Sequence, residues 1–206
     1  MCHLFKTFLV LLLTALCLGC CTTSLNKSSI EDAPQSSVIQ DPDVGHDEWK
    51  DCGGEIGNHA CNFEFLDQHA NTWELYDHYG KIIILDFSTM WCSVCQYVAL
   101  KADSIQALYH DKDVIWVTVL VQDTYGLAVP VEGAQAWAKI YGIETTTVLA
   151  ANDSVAAPGN RGSFEIKALP TIIIIDEDMV ITYRVNGWNE TRVRTQLDAM
   201  LNPESD

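Results

Sequence analysis

Three unbroken apolar runs punctuate the chain: "KIIIL" (81–85), "VIWVTVLV" (114–121) and "TIIIID" (171–176). A strand that is apolar on both of its sides is covered on both faces of its sheet, so these runs predict central strands. Shorter segments join them. "FEFLDQ" (63–68) and "TTTVL" (145–149) predict short strands, "WELYDHYGK" (73–81) a turn, and "VITYRV" (180–185) the second arm of a hairpin across "EDM". Elsewhere the period changes from two to between three and four. Val94, Val98, Ala102, Ile105 and Leu108 recur at helical steps and predict one amphipathic helix over 92–110. "VEGAQAWAKIYG" (131–142) predicts a helix stopped by Gly142, and "ETRVRTQLDAML" (190–201) a closing helix. Strand, helix, strand, helix, strand, hairpin, helix is the order of an α/β domain with a central mixed β-sheet flanked by helices.

The first 62 residues follow other patterns. "TFLVLLLTALCLG" (7–19) is an apolar run too short to span a membrane comfortably, and Lys6 precedes it, which is the shape of an export signal over residues 1–19. "LCLGCC" then resembles the lipobox of bacterial lipoproteins, with Cys20 as the lipidated residue, although Cys17 stands where that motif prefers a branched aliphatic side chain. Ordinary cleavage and an uncleaved anchor are the alternatives. Residues 20–48 are rich in Ser, Thr, Asp and Pro and too poor in large apolar residues to bury a core, so they predict a disordered tether. Residues 49–62, "WKDCGGEIGNHACN", form a glycine-bearing loop bracketed by Cys52 and Cys61, a spacing a local disulfide can close. The remaining 63–203 make one domain.

Charge narrows the partners. The 206 residues carry 12 basic against 28 acidic side chains, a net -16, and such a surface repels nucleic acid phosphates and anionic lipid headgroups. Nucleic acid is excluded as a partner, and membrane contact is expected through a lipid anchor only. Of the eight cysteines, Cys52, Cys61, Cys92 and Cys95 lie in the body, where export permits disulfides.

The chemistry concentrates in "DFSTMWCSVCQ" (86–96). A strand delivers Cys92 to the start of a helix, where unpaired backbone N–H groups and the positive end of the helix dipole favour thiolate over thiol. Thiolate is the nucleophile of disulfide exchange, and Cys95, three positions on, can resolve a mixed disulfide. By itself this spacing is also half of many zinc sites. The wider stretch "LDFSTMWCSVC" resembles the active-site segment of the thioredoxin superfamily, and "FEIKALPTIIIIDEDMVITYRVNGW" resembles that superfamily's cis-proline segment. The resemblance covers about 63–201. The longer middle, with "WVTVLVQD", an extra helix carrying Trp137 and "TTTVL", is similar to the extracytoplasmic TlpA/ResA-type thiol-disulfide reductases.

That resemblance implies a thioredoxin fold with an N-terminal extension and a TlpA-like insertion. It makes Cys92 the nucleophile, Cys95 the resolving cysteine, Pro170 the cis-proline, Asp86 the buried acid and Trp91 a residue that shields the site. A cis bond at Pro170 would turn the backbone of Leu169 and Thr171 toward an extended substrate segment. Asp86 interrupts an apolar strand, so burial should raise its pKa and fit it to accept the Cys95 proton. Protein disulfides or dithiols are the implied substrates, with no bound cofactor and a membrane-embedded electron donor. Ser93 and Val94 between the cysteines, and Val98 and Leu100 after them, depart from the family; Leu100 replaces a proline and predicts an unkinked helix.

Other readings stay open. Cys52, Cys61, Cys92 and Cys95 with His46, His59, His69 or His78 can be counted toward a zinc or copper site, though the spacing lacks paired knuckles and no histidine follows His110. Thr89 and the arginines Arg161, Arg184 and Arg192 give a thiol peroxidase slight support. A binding domain without chemistry is the last. For Cys52–Cys61 the favoured role is a structural staple, with a second redox relay as the minority one.

Overall fold

The computed structural model describes Trp49, residues 52–160 and residues 162–202. The export signal, Cys20 and the tether lie outside them.

Seven strands form one mixed sheet in the order β2-β1-β5-β4-β3-β6-β7. In chain order they are β1 (Glu64–Asp67), β2 (Thr72–Glu74), β3 (Ile82–Thr89), β4 (Val114–Gln122), β5 (Thr147–Ala150), β6 (Thr171–Ile175) and β7 (Ile181–Asn186). The parallel pairs are β3 with β4 and β4 with β5; the remaining neighbours run antiparallel. The three apolar runs are the three central strands β4, β3 and β6, and every residue of β3 and β6 is buried. Strand alternation sorts β3 between two cores. Ile83, Leu85 and Phe87 face a core that includes Ala60, Trp73, Leu75 and Phe164. Ile82 and Ile84 face the helices, against Val98, Ala102, Ile105, Val193 and Leu197.

Those helices are α1 (Ser93–Ala99), α2 (Ala102–Ala107), α3 (Val131–Tyr141) and α4 (Glu190–Leu201). Gly142 ends α3 in the left-handed conformation with φ 67°, as the sequence predicts. Asn189 caps α4 by accepting from the Arg192 N–H.

Two expectations are corrected. The single unkinked helix over 92–110 is broken at Leu100 and Lys101 without any proline. There the Lys101 N–H bonds to the Val98 carbonyl at 2.8 Å, a tightened three-residue step. The Ser104 hydroxyl then donates back to the Lys101 carbonyl at 2.8 Å, a local bond that bends helices. The buried stripe is also rotated. Cys95, Val98, Ala99, Ala102, Ile105 and Tyr109 face inward, whereas Val94 and Leu108 are 44% and 54% exposed. Second, "WELYDHYGK" is more than a turn. Trp73 lies in β2, which pairs with β1, and Leu75–His78 forms a 3-10 helix.

The second half of the broken helix is tied down. Asp103 accepts from the backbone N–H groups of Glu144, Thr145 and Thr146 at 2.6, 3.1 and 3.0 Å and from the Thr146 hydroxyl at 2.7 Å. This carboxylate fixes α2 to the connection between α3 and β5.

Residues 52–61 form a loop closed by a Cys52–Cys61 disulfide. They dock along the β6–β7 hairpin: Ala60 N–H donates to the Met179 carbonyl at 2.8 Å, and Gly57 N–H to the Ile181 carbonyl at 2.8 Å. The loop has no strand of its own, yet its backbone groups are paired as an edge strand's would be.

Candidate active site

β3 ends at Thr89, and the chain turns through Met90 and Trp91 into α1. Met90 N–H extends the β3–β4 ladder to the Gln122 carbonyl at 3.0 Å, and the Gln96 side chain returns to the Met90 carbonyl at 2.9 Å. Held at both ends, this turn sets Cys92 as the N-cap of α1. The Cys92 sulfur accepts from the Cys95 backbone N–H at 3.2 Å, and the two cysteines are joined as a disulfide. Cys95 is fully buried, while Cys92 keeps 8% of its surface open. Only the first sulfur can be approached from outside.

Cys92 opens onto a groove of about 520 Å³. Trp91, Gln122, Ala156, Ala157, Pro158 and Ile166 to Leu169 are among the residues that line it. Trp91 is half exposed, and its indole N–H donates to Gln122 Oε1 at 3.2 Å; Gln122 Nε2 in turn donates to the Asp153 carboxylate at 3.1 and 3.2 Å. This chain of contacts spans the groove's rim. It holds the Trp91 ring beside the sulfur, and neither Gln122 nor Asp153 is marked by any local sequence signal.

The Leu169–Pro170 bond is cis. Leu169 lines the groove. Thr171 does not join it: the residue is fully buried, and its hydroxyl donates to the Ala168 carbonyl at 2.7 Å. The Pro170 carbonyl is likewise taken, by the Gly187 N–H at 2.7 Å.

Asp86 is completely buried on the helix-facing side of β3, the side that α1 covers. Burial pushes its carboxyl up to about 7, against partial relief from two hydroxyls. Ser88 Oγ donates to Oδ1 at 2.7 Å, and Thr118 Oγ1, on the adjacent strand β4, lies 3.4 Å from Oδ2. The sequence anticipates the acid and the direction of its shift; the two hydroxyl partners come from the fold.

The remaining candidates separate. Cys52–Cys61 lies outside the groove, and each cysteine pair is closed on itself, so the four thiols do not converge. Among the described residues no group of three or more His, Cys, Asp and Glu side chains is placed to hold a metal ion. His59 stacks on Trp49 and His78 on Trp73. Arg184 is engaged with the backbone carbonyls of Gly54, Phe164 and Glu165 instead of reaching Cys92, and Arg161 lies outside the described residues. No helix among the described residues is long and apolar enough to cross a membrane.

Comparison with known proteins places this arrangement. The family model described as AhpC/TSA family matches residues 56–184, more than half of the chain and the whole stretch from β1 to β6. The chain belongs to the AhpC/TSA family. Curated relatives include the thiol-disulfide oxidoreductase ResA of Bacillus thuringiensis (strain Al Hakam) and that of Bacillus anthracis. Each is 24% identical over 147 residues, spanning 71% of this chain and 77% of the relative. Among solved structures, the thioredoxin domain of a thiol-disulfide oxidoreductase from Bacteroides vulgatus superposes with a TM-score of 0.58 at 18% identity, covering 72% of this chain and 99% of that one. The pneumococcal exposed lipoprotein thioredoxin of Streptococcus pneumoniae strain TIGR4 superposes with a TM-score of 0.53 at 24% identity, covering 68% and 99%. The fold is the thioredoxin fold, as the two motifs predict.

Proposed function

We propose that this chain is an exported thiol-disulfide oxidoreductase that exchanges electrons with protein disulfides through Cys92 and Cys95, working as a reductase. The observation that carries the reading is the placing of one accessible and one buried cysteine at the start of α1, with Cys92 lining a groove shared with Leu169 of the cis Leu169–Pro170 bond. The names of the ResA relatives support the same class of reaction.

In the reducing direction Cys92 thiolate attacks one sulfur of the substrate disulfide, and the other sulfur leaves as a thiolate and takes a proton. Cys95, losing its proton to Asp86, then attacks the Cys92 sulfur and releases the substrate's second thiol. Two electrons pass to the substrate, and the Cys92–Cys95 disulfide is left for a donor to reduce. The Cys95 N–H at the Cys92 sulfur stabilises the thiolate, and Trp91 and Leu169 shape the approach. No cofactor takes part in these steps.

Residues 1–19 as an export signal, Cys20 as a lipidated residue and 20–48 as a tether would hold the 63–203 domain on the outer side of a bacterial membrane. A membrane-embedded donor would be within reach there. The likeness to a lipoprotein thioredoxin agrees with this placement. Cys52–Cys61 serves as a structural staple in this reading.

The equilibrium potential of the Cys92–Cys95 couple, titrated against glutathione with metal content followed in parallel, tests the proposal. A strongly reducing couple is expected. An oxidising couple would reverse the direction of electron flow, and a bound metal without a titratable couple would remove the redox reading altogether.

A further inference from the structure

The groove has a foundation outside the cysteine motif. Its lining residues Ala156 to Pro158 and Ile166 to Leu169 come from two short segments, 153–158 and 163–169, laid side by side: Phe164 N–H donates to the Val155 carbonyl at 2.9 Å and Ile166 N–H to the Ala156 carbonyl at 2.7 Å. Ser163 reinforces the pair, donating its hydroxyl to the Ala157 carbonyl at 2.6 Å and accepting from the Glu165 N–H at 3.0 Å. Neither segment is part of the sheet, and an irregular wall of this kind keeps its shape only if something outside it fixes the backbone.

That outside support is Arg184, on β7. Its Nη1 donates to the carbonyls of Gly54 and Phe164, and its Nη2 donates to the Glu165 carbonyl at 2.8 Å. Gly54 belongs to the loop closed by Cys52–Cys61; Phe164 and Glu165 directly precede Ile166 to Leu169, which line the groove. One planar cation therefore gathers carbonyls from both, a geometry the forked guanidinium supports and a lysine ammonium does not. A glycine lets the backbones meet: a Cβ on Gly54 would stand 2.6 Å from the Phe164 backbone. Phe164 itself is fully buried and packs on Phe87 of β3, five residues before Cys92.

We infer that Arg184 is a positioning residue that uses the Cys52–Cys61 loop as a footing for the groove wall. The second disulfide thereby governs how firmly an extended polypeptide carrying the target disulfide is held. The inference rests on the disulfide-exchange reading of the groove. Its consequence is a division of labour. The Cys92–Cys95 couple determines electron transfer, and the Cys52–Cys61 loop, through Arg184, determines capture of a substrate long enough to lie along Ile166 to Leu169. A small disulfide that touches only the Cys92 sulfur would not sense the footing.

The test compares wild type with Arg184→Lys and with Cys52→Ser/Cys61→Ser, using a disulfide-bonded peptide and a small aromatic disulfide as alternative substrates. For Arg184→Lys the KM for the peptide is expected to rise about tenfold with kcat little changed, the expected cost of losing a charge-assisted hydrogen bond that orders a loop, and for the double-serine chain the KM should rise in the same direction as the footing loosens. Turnover of the small disulfide and the Cys92–Cys95 potential should stay at the wild-type level. Hydrogen exchange at the Phe164 and Ile166 amides should quicken in both variants. If the arginine variant does not fold, the double-serine chain decides alone. Unchanged peptide KM and unchanged exchange there overturn the inference, as does an equal loss on both substrates, which would mean general destabilisation. Absence of turnover in wild type on either substrate would instead overturn the disulfide-exchange reading.

Discussion

Replacement of Cys95 by serine is expected to trap protein substrates on Cys92, whereas replacement of Cys92 by serine is expected to abolish exchange and trap nothing. The asymmetry follows from burial. Cys92 has the open sulfur and stands as helix N-cap, so it alone can meet a disulfide on another protein; Cys95 is sealed and can meet only Cys92. Removing the resolver leaves the first covalent step intact and blocks the second. Non-reducing electrophoresis of the Cys95→Ser chain after incubation with oxidised protein substrates should show thiol-labile adducts, and turnover in either variant should fall to the uncatalysed level. Adducts formed equally well by Cys92→Ser would transfer the attack to another cysteine and end the proposed assignment.

The second large effect concerns Asp86. Its folded-state pKa of about 7, against the usual 3.8, means the folded chain retains a proton that the unfolded chain loses first. Folding stability therefore falls as pH rises from about 4 to about 7 and levels off above. Lifting a carboxyl from 3.8 to about 7 corresponds to at most about 4 kcal/mol of stability. Asp86→Asn keeps an oxygen for the Ser88 hydroxyl and removes the titration. Thermal melts across pH 4 to 8 should lose this slope and show the variant more stable than wild type at pH 7 and above.

The same substitution should slow resolution of the mixed disulfide about a hundredfold near neutrality, the lower end of what positioned proton transfer contributes, and erase the rise in rate through pH 7. A gain in stability together with a loss in rate is the signature of a carboxyl kept for chemistry. Greater stability with an unchanged rate profile would leave Asp86 a buried acid without a proton-transfer role.

Much of this arrangement was legible in the chain because it is local or apolar. The central strands announce themselves as runs of branched aliphatic residues, and the cysteine turn and the proline each sit in short diagnostic stretches. What escaped depends on contacts between distant segments. Thr118 meets Asp86, and Asp153 meets Gln122, across 32 and 31 residues, and strand alternation names the face of each residue but not its neighbour. Thr171 stands in line to face the substrate, yet the turn rotates it inward. In the sequence Arg184 stands only as slight support for a peroxidase; its partners are carbonyls, which carry no side-chain identity. The helix break escaped for another reason. From Cys95 to Tyr109 the buried stripe runs unbroken across it, and Cys95 and Tyr109 look too reactive or too polar to be counted as core.

The break at Leu100 and Lys101 changes what the cysteine turn can do mechanically. Beyond it, α2 is moored by the four bonds to Asp103; before it, α1 carries the sulfurs at its start and is held by Val98 and Ala99 in the cores. Opening the Cys92–Cys95 bond therefore rearranges the first turn of α1, while α2 keeps an attachment that does not pass through the cysteines.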